Sequence, residues 1–254
     1  MHFRDFLKSN IVCLDGGMGT LLQAKGLCPG EYPEYWNLTH ADTVTAIHQS
    51  YYDAGSNVVS TNTFGANSLK FSNTELESII GAAVANVKRA RAASHNGEEK
   101  FIALDIGPTG KLLKPLGELD FTDAVEIFAK TVRLGVRYGV DLILIETMND
   151  SYETKAAVLA AKENSDLPIL VSNAYGEDGK LMTGATPEAM VAMLEGLGVD
   201  ALGTNCSFGP DKLRPVITRL LTNASIPVPR RCSSTTICST ISSTKFVKRG
   251  SRCL

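Results

Sequence analysis

The sequence predicts an α/β protein built on a parallel sheet, and three observations carry that prediction. Short, nearly continuous apolar runs, VDLILIE and LPILVSN among them, read as strands buried on both faces. Between them lie longer stretches whose apolar residues recur at helical spacing. Strand and helix then alternate along the chain, as right-handed βαβ units require. About six units are visible, with the start of a seventh. An open doubly wound sheet and a (β/α)8 barrel both fit this alternation.

The expected strands are Ile11–Asp15, Asn57–Thr61, Phe101–Ile106, Asp141–Glu146, Leu167–Asn173, Asp200–Asn205 and, more weakly, Ile226–Val228. Thr74-Glu75-Leu76-Glu77 has the form of a capping box and opens a helix on which Ile79, Ala83, Val87 and Ala90 share a face. After Phe121, Val125, Phe128, Val132 and Val136 mark the apolar stripe of the next helix. Asp150 is placed to cap SYETKAAVLAAKEN, with Glu153 three residues on. Thr186 followed by Pro187 is a cap and first-turn pair. From Pro229 the chain changes character: ten of its last 26 residues are Ser or Thr, and the strand and helix periods vanish. Residues 1–228 are therefore expected to form the folded domain and 229–254 an aberrant tail.

Composition limits the function classes. The chain has 254 residues, is 44% hydrophobic and carries a formal net charge of −2, which excludes intrinsic disorder. That charge is a sum of unlike parts: the tail holds six Lys or Arg and no acid, so the body carries −8 and the tail +6. No strongly basic domain suggests a nucleic-acid partner, and no apolar run reaches the roughly 18 to 20 residues that span a bilayer. The start, MHFRDFLKSNIVCLDGG, lacks a signal-peptide pattern, so a cytoplasmic protein is expected. Six irregularly spaced cysteines then read as core residues, metal ligands or nucleophiles rather than as a disulfide framework.

The strand ends carry the chemistry. Asp15-Gly16-Gly17, Thr61-Asn62-Thr63, Asp105-Ile106-Gly107, Glu146-Thr147, Asn173-Ala174 and Asn205-Cys206 each follow a strand, and in a barrel such ends converge on one mouth. Asp15, Gly16 and Gly17 are either a tight turn needing positive φ or a close backbone approach to a small amino acid or carboxylate. Glu146 ends an apolar run, where it meets either a cationic group such as an amino-acid ammonium or a neighbouring Lys or Arg. Cys206 is a small core residue or a thiolate able to bind zinc with two further soft ligands. His2, His40, His48 and His95 show no metal spacing, and Lys88-Arg89-Ala90-Arg91 reads as a solvated helix face. No strand end supplies the Lys that an aldolase would need.

Six segments in order, LDGGMGTLLQ, TNTFGAN, ALDIGPTGKLLKPLGEL, LILIETMND, MTGATPEAM and ALGTNCSFGP, resemble the homocysteine S-methyltransferase family. The likeness runs from Val12 to Val228, some 85% of the chain, and is greatest to the homocysteine-binding domain of the cobalamin-dependent, methionine-forming members. The resemblance implies a (β/α)8 TIM barrel and methyl transfer to a zinc-held homocysteine thiolate. It implies that Asp15, Gly16, Gly17, Glu146 and Asn205 bind L-homocysteine and that Cys206 is a zinc ligand. Methylcobalamin, recharged from methyltetrahydrofolate, would act through domains that this chain lacks.

One departure from the family pattern is plain. The adjacent cysteines of the family's G-G-C-C segment, the other two zinc ligands, are absent, and Cys232 and Cys238 are not expected to replace them. The expectation is a barrel incomplete at its C-terminus, its tail the product of a shifted reading frame or a disrupted gene end. Such a chain would be weakly stable and inactive alone, or would persist as a non-catalytic amino-acid-binding fragment.

Overall fold

The computed structural model describes residues 1–229 and the strand 244–247; the remainder of the expected tail, with Cys232 and Cys238, lies outside the described residues. The chain opens with helix α1 (Phe3–Ser9), strand β1 (Cys13–Leu14) and helix α2 (Gly19–Ala24). A 3₁₀ turn at Pro33–Tyr35 leads into α3 (Trp36–Thr39) and α4 (Ala41–Asp53). Regular alternation follows: β2 (Val58–Ser60), α5 (Asn73–Ala93), β3 (Phe101–Ile106), α6 (Phe121–Tyr138), β4 (Leu142–Met148) and α7 (Ser151–Asn164). Then come β5 (Ile169–Asn173), α8 (Pro187–Gly196), β6 (Ala201–Thr204), α9 (Pro210–Asn223), β7 (Val228–Pro229) and β8 (Thr244–Val247).

Strand order decides the architecture. β1 to β6 are mutually parallel and lie side by side in chain order. A doubly wound sheet reverses its order at a switch point; this one does not, so the strands curl as a barrel with helices outside. The Leu202 N–H donates to the Pro227 carbonyl at 3.1 Å, setting the start of β7 beside β6. β8 pairs antiparallel with both β1 and β7. The eighth position is thus filled, but in the wrong direction for a (β/α)8 barrel, which remains incomplete among the described residues. The tail was expected to hold no strand. Thr244-Lys245-Phe246-Val247 is nonetheless rich in β-formers, and the edge of β1 presents backbone groups that need partners.

Side chains sort by strand parity. Phe101 and Ala103, Leu142 and Leu144, Val58, Leu170 and Ala201 point into the barrel. Their neighbours Ile102, Leu104, Ile143, Ile145, Val171 and Leu202 pack outward against the helices. α1 closes the barrel floor. Phe3 and Phe6 meet Phe101 with ring centroids 5.1 and 5.3 Å apart. Arg4 grips Asp200 with Nε to Oδ1 at 2.6 Å and donates to the Asp166 carbonyl at 2.8 Å.

Several local expectations shift. β1 is shorter than expected, and Ile11 is exposed. The capping box of α5 belongs to Ser72, whose hydroxyl accepts from the Glu75 N–H at 3.3 Å while Glu75 accepts from the Ser72 N–H at 3.0 Å. Ser72, not Thr74, has the extended backbone that a cap needs. On α6 the buried stripe runs through Ala124, Ile127, Phe128, Thr131, Val132 and Gly135, leaving Val136 exposed. That helix stops at Gly139, whose φ of 78° gives the left-handed cap. Lys88, Arg89 and Arg91 tie α5 to its neighbours through the Tyr138 carbonyl, Asp42 and Asp141 rather than forming a purely solvated face. Asp150 caps α7 through the Tyr152 N–H at 2.8 Å, and Thr186 caps α8 through the Ala189 N–H at 3.4 Å. No described helix is long and apolar enough to cross a membrane.

Candidate functional site

Parity carries the inward row of each strand on to a polar residue at its C-terminal end. Phe101 and Ala103 lead to Asp105, Leu142 and Leu144 to Glu146, Leu170 to Ser172, Ala201 to Asn205, and Val58 to Ser60. All five are buried. The lower barrel is therefore apolar and the upper layer polar. At that end a cavity of about 190 Å³ opens, lined by Gly16 and Gly17 after β1, Ser60 and Asn62 at β2, Asp105, Glu146, and Asn205 with Cys206. Of the sequence-predicted residues, Gly16, Gly17, Glu146, Asn205 and Cys206 all reach this cavity.

Asp15 stands just behind it. Its Oδ2 accepts from both the N–H and the hydroxyl of Ser60, each at 2.8 Å, which fastens the β1 loop to β2. Gly16 has no positive φ, so the turn reading fails for it. The reason is proximity: a Cβ there would lie 2.8 Å from the Tyr51 hydroxyl, which donates to the Gly17 carbonyl at 3.0 Å. A side chain on Gly16 would displace the tyrosine that holds this loop.

The β2 loop is knitted to β3. Thr63 Oγ1 donates to the Asp105 carbonyl at 2.8 Å, and the Asp105 N–H donates to Thr61 Oγ1 at 3.1 Å. Glu34 reaches the cavity from the loop between α2 and α3, its Oε1 accepting from the Gly65 N–H at 2.7 Å. Glu34, Ser60, Asn62, Asp105 and Ser172 were not singled out as binding residues. For Asp105 and Ser172 the signal was available, since counting by twos from the buried run leads to each; Glu34 sits in a loop that carries no such periodicity.

On the opposite wall the backbone is strained. Thr147, Cys206 and Ser207 have φ of 60°, 57° and 66°, a region sparsely used by residues other than glycine and costing on the order of 1–3 kcal/mol each. The register between β4 and β5 shifts across Ile145 and Met148, a bulge that brackets Glu146. Asn205 joins the two strained segments. Its Oδ1 accepts from the Thr147 N–H at 3.1 Å and from Ser172 Oγ at 2.9 Å, and its Nδ2 donates to Thr147 Oγ1 at 2.7 Å. Cys206 Sγ lies 3.3 Å from Asn205 Nδ2 and 3.9 Å from Thr147 Oγ1.

The described residues hold no group of three His, Cys, Asp or Glu that could bind a metal ion. A three-thiolate zinc site therefore does not fit them: the groups beside Cys206 are an amide and a hydroxyl, neither a soft donor. The histidines contribute nothing here. His48 is wholly buried on α4, and burial pulls its pKa down to about 3, leaving it neutral. His40 stacks on Trp36 with centroids 4.0 Å apart.

Comparison with known proteins adds a name to this arrangement. The family model described as homocysteine S-methyltransferase matches residues 12–242. Methionine synthase of Mycobacterium tuberculosis is 29% identical over 244 residues, covering 88% of this chain and 20% of that protein. The chain thus spans about a fifth of the length of the curated relatives it matches. The crystal structure of the homocysteine methyltransferase MmuM from Escherichia coli superposes with a TM-score of 0.77 in its apo form, at 22% identity, over 91% of this chain and 85% of that one. Its metallated form gives 0.80 at 20% identity, over 93% and 88%. At such identities the likeness is one of fold.

Proposed function

The chain belongs to the homocysteine S-methyltransferase family, and we propose that its barrel mouth binds L-homocysteine and presents the sulfur for methylation to methionine. One observation carries the proposal: polar ends of separate strands, Asp105, Glu146 and Asn205 with Cys206, converge with the Gly16-Gly17 loop on one cavity of about 190 Å³. Drug-sized pockets begin near 300 Å³, so this space suits a small amino acid. The carboxylates of Glu146 and Asp105 supply charge opposite to the substrate ammonium. The backbone of Gly17, bare of a side chain and with no atom closer than 3.7 Å to where a Cβ would stand, allows close approach at the other end. The substrate sulfur is assigned to the wall that carries Cys206, the lining residue with a thiol.

In the transfer itself, a sulfur lone pair forms the C–S bond to the donor methyl carbon, the donor–methyl bond breaks with its electron pair left on the donor, and the thiol proton passes to water at the open mouth. No step is assigned to zinc, since the described residues offer Cys206 alone of the family's ligands. Methylcobalamin and methyltetrahydrofolate, implied by the likeness to cobalamin-dependent members, would be supplied by other domains. The homocysteine-binding unit is residues 1–228, in a cytoplasmic setting that keeps Cys206 reduced.

Calorimetric titration with L-homocysteine, metal-free and with added zinc, tests the proposal. Saturable binding is expected without metal, weakened about tenfold or more by Glu146→Gln, because a charge-assisted contact to the ammonium is lost. Equal affinity in Glu146→Gln and the parent chain would overturn the assignment of that carboxylate. Absence of binding by the parent chain would overturn the site.

A further inference from the structure

Thr147 is a β-branched residue held at φ 60°, where Gly or Asn is the ordinary choice. Its side chain is nonetheless engaged in a way that Gly could not reproduce. The backbone N–H of Thr147 can only donate, and it meets Asn205 Oδ1 at 3.1 Å. Ser172 Oγ donates to the same oxygen at 2.9 Å. The carboxamide orientation is thereby fixed, for the reverse would set its NH₂ against the Thr147 N–H. Nδ2 then faces the other way and donates to Thr147 Oγ1 at 2.7 Å while lying 3.3 Å from Cys206 Sγ. The Thr147 hydroxyl, accepting from Nδ2, stands 3.9 Å from the same sulfur.

One residue therefore grips the Asn205 carboxamide at both ends, its backbone on the oxygen and its hydroxyl on the nitrogen. Building on the proposed homocysteine site, we infer that Thr147 is a positioning residue: its grip holds the Asn205 amide against the Cys206 sulfur and keeps that wall of the cavity aligned for the substrate. The strained backbone at Thr147, Cys206 and Ser207 flanks this contact on both strands. The hydroxyl explains why a residue bearing one, rather than Gly, occupies so unfavourable a position.

The test compares Thr147→Ser, which keeps the hydroxyl, with Thr147→Val, which keeps the shape and loses it. The readout is the pair of side-chain amide resonances of Asn205 in the ¹⁵N-labelled 254-residue protein without ligand, assigned with Asn205→Ala, together with homocysteine affinity and melting temperature. Thr147→Ser is expected to retain the parent resonances and bind homocysteine within about twofold of the parent. Thr147→Val is expected to shift them and to weaken binding about fivefold to tenfold, the scale of one hydrogen bond. Unchanged Asn205 resonances in a folded Thr147→Val protein would overturn the grip. Because the resonances are read without ligand, a parent chain that binds no homocysteine overturns the functional proposal separately.

Discussion

Glu153 illustrates how a single residue can leave its expected place. In sequence it is set to complete a capping box with Asp150, yet its Oε1 accepts instead from the N–H and hydroxyl of Thr109, at 2.7 and 2.5 Å. It pins the loop after β3 to the start of α7. Burial raises its pKa above the ordinary 4.5, against the lowering effect of the two Thr109 bonds. Between 4.5 and that raised value the native state holds more protons than the unfolded state, so the contribution to stability falls as pH rises. Glu153→Gln should flatten this slope. Denaturant midpoints measured from about pH 4 to pH 7 check it: the difference between parent and variant should change with pH, and a constant difference would refute the linkage. The site residues divide in the same way. That Glu146, Asn205 and Cys206 line the cavity was legible because they end apolar strands, while the close approach at Gly16 is to Tyr51. Thr147 was not, since its role depends on a backbone angle and a partner 58 residues away, neither visible in local pattern.

At the scale of elements, alternation located the strands, but their ends were set by tertiary contacts. β4 runs on to Met148 because it bulges and pairs past Glu146, whereas β1 shrinks to Cys13–Leu14. Two overlapping S/T-x-x-E frames, Ser72 to Glu75 and Thr74 to Glu77, compete to open α5, and the first prevails. Ser72→Ala should lower stability by about 1 kcal/mol, the usual worth of an N-cap. Thr74→Ala should be nearly neutral, because Thr74 makes no cap. Thermal melts of the two variants decide between the frames. The stripe of α6 shows the same limit: a count of three, four and four from Val125 leads to Val136, while the buried face runs to Gly135, where the Leu104 side chain fills the space a Cβ would need.

Across the whole molecule, the sequential strand order was not deducible from periodicity, since a doubly wound sheet yields the same alternation; it follows from which edges pair. The barrel floor was equally hidden. Phe3 and Phe6 look like ordinary apolar residues of a short amphipathic helix, but they seal the inner cluster against Phe101. Phe3→Ala should destabilise the barrel by roughly 3–5 kcal/mol, the range for a buried aromatic, with the loss read by chemical denaturation. That helix also carries a temporal constraint. Arg4 reaches Asp200, 196 residues along the chain, so α1 meets this partner only when most of the parallel strands have been made. The contacts of Phe3 and Phe6 with Phe101, by contrast, need the chain only through β3. Docking of α1 through Arg4 thus requires the chain as far as Asp200, and a fluorescent label on this helix would report when that contact forms.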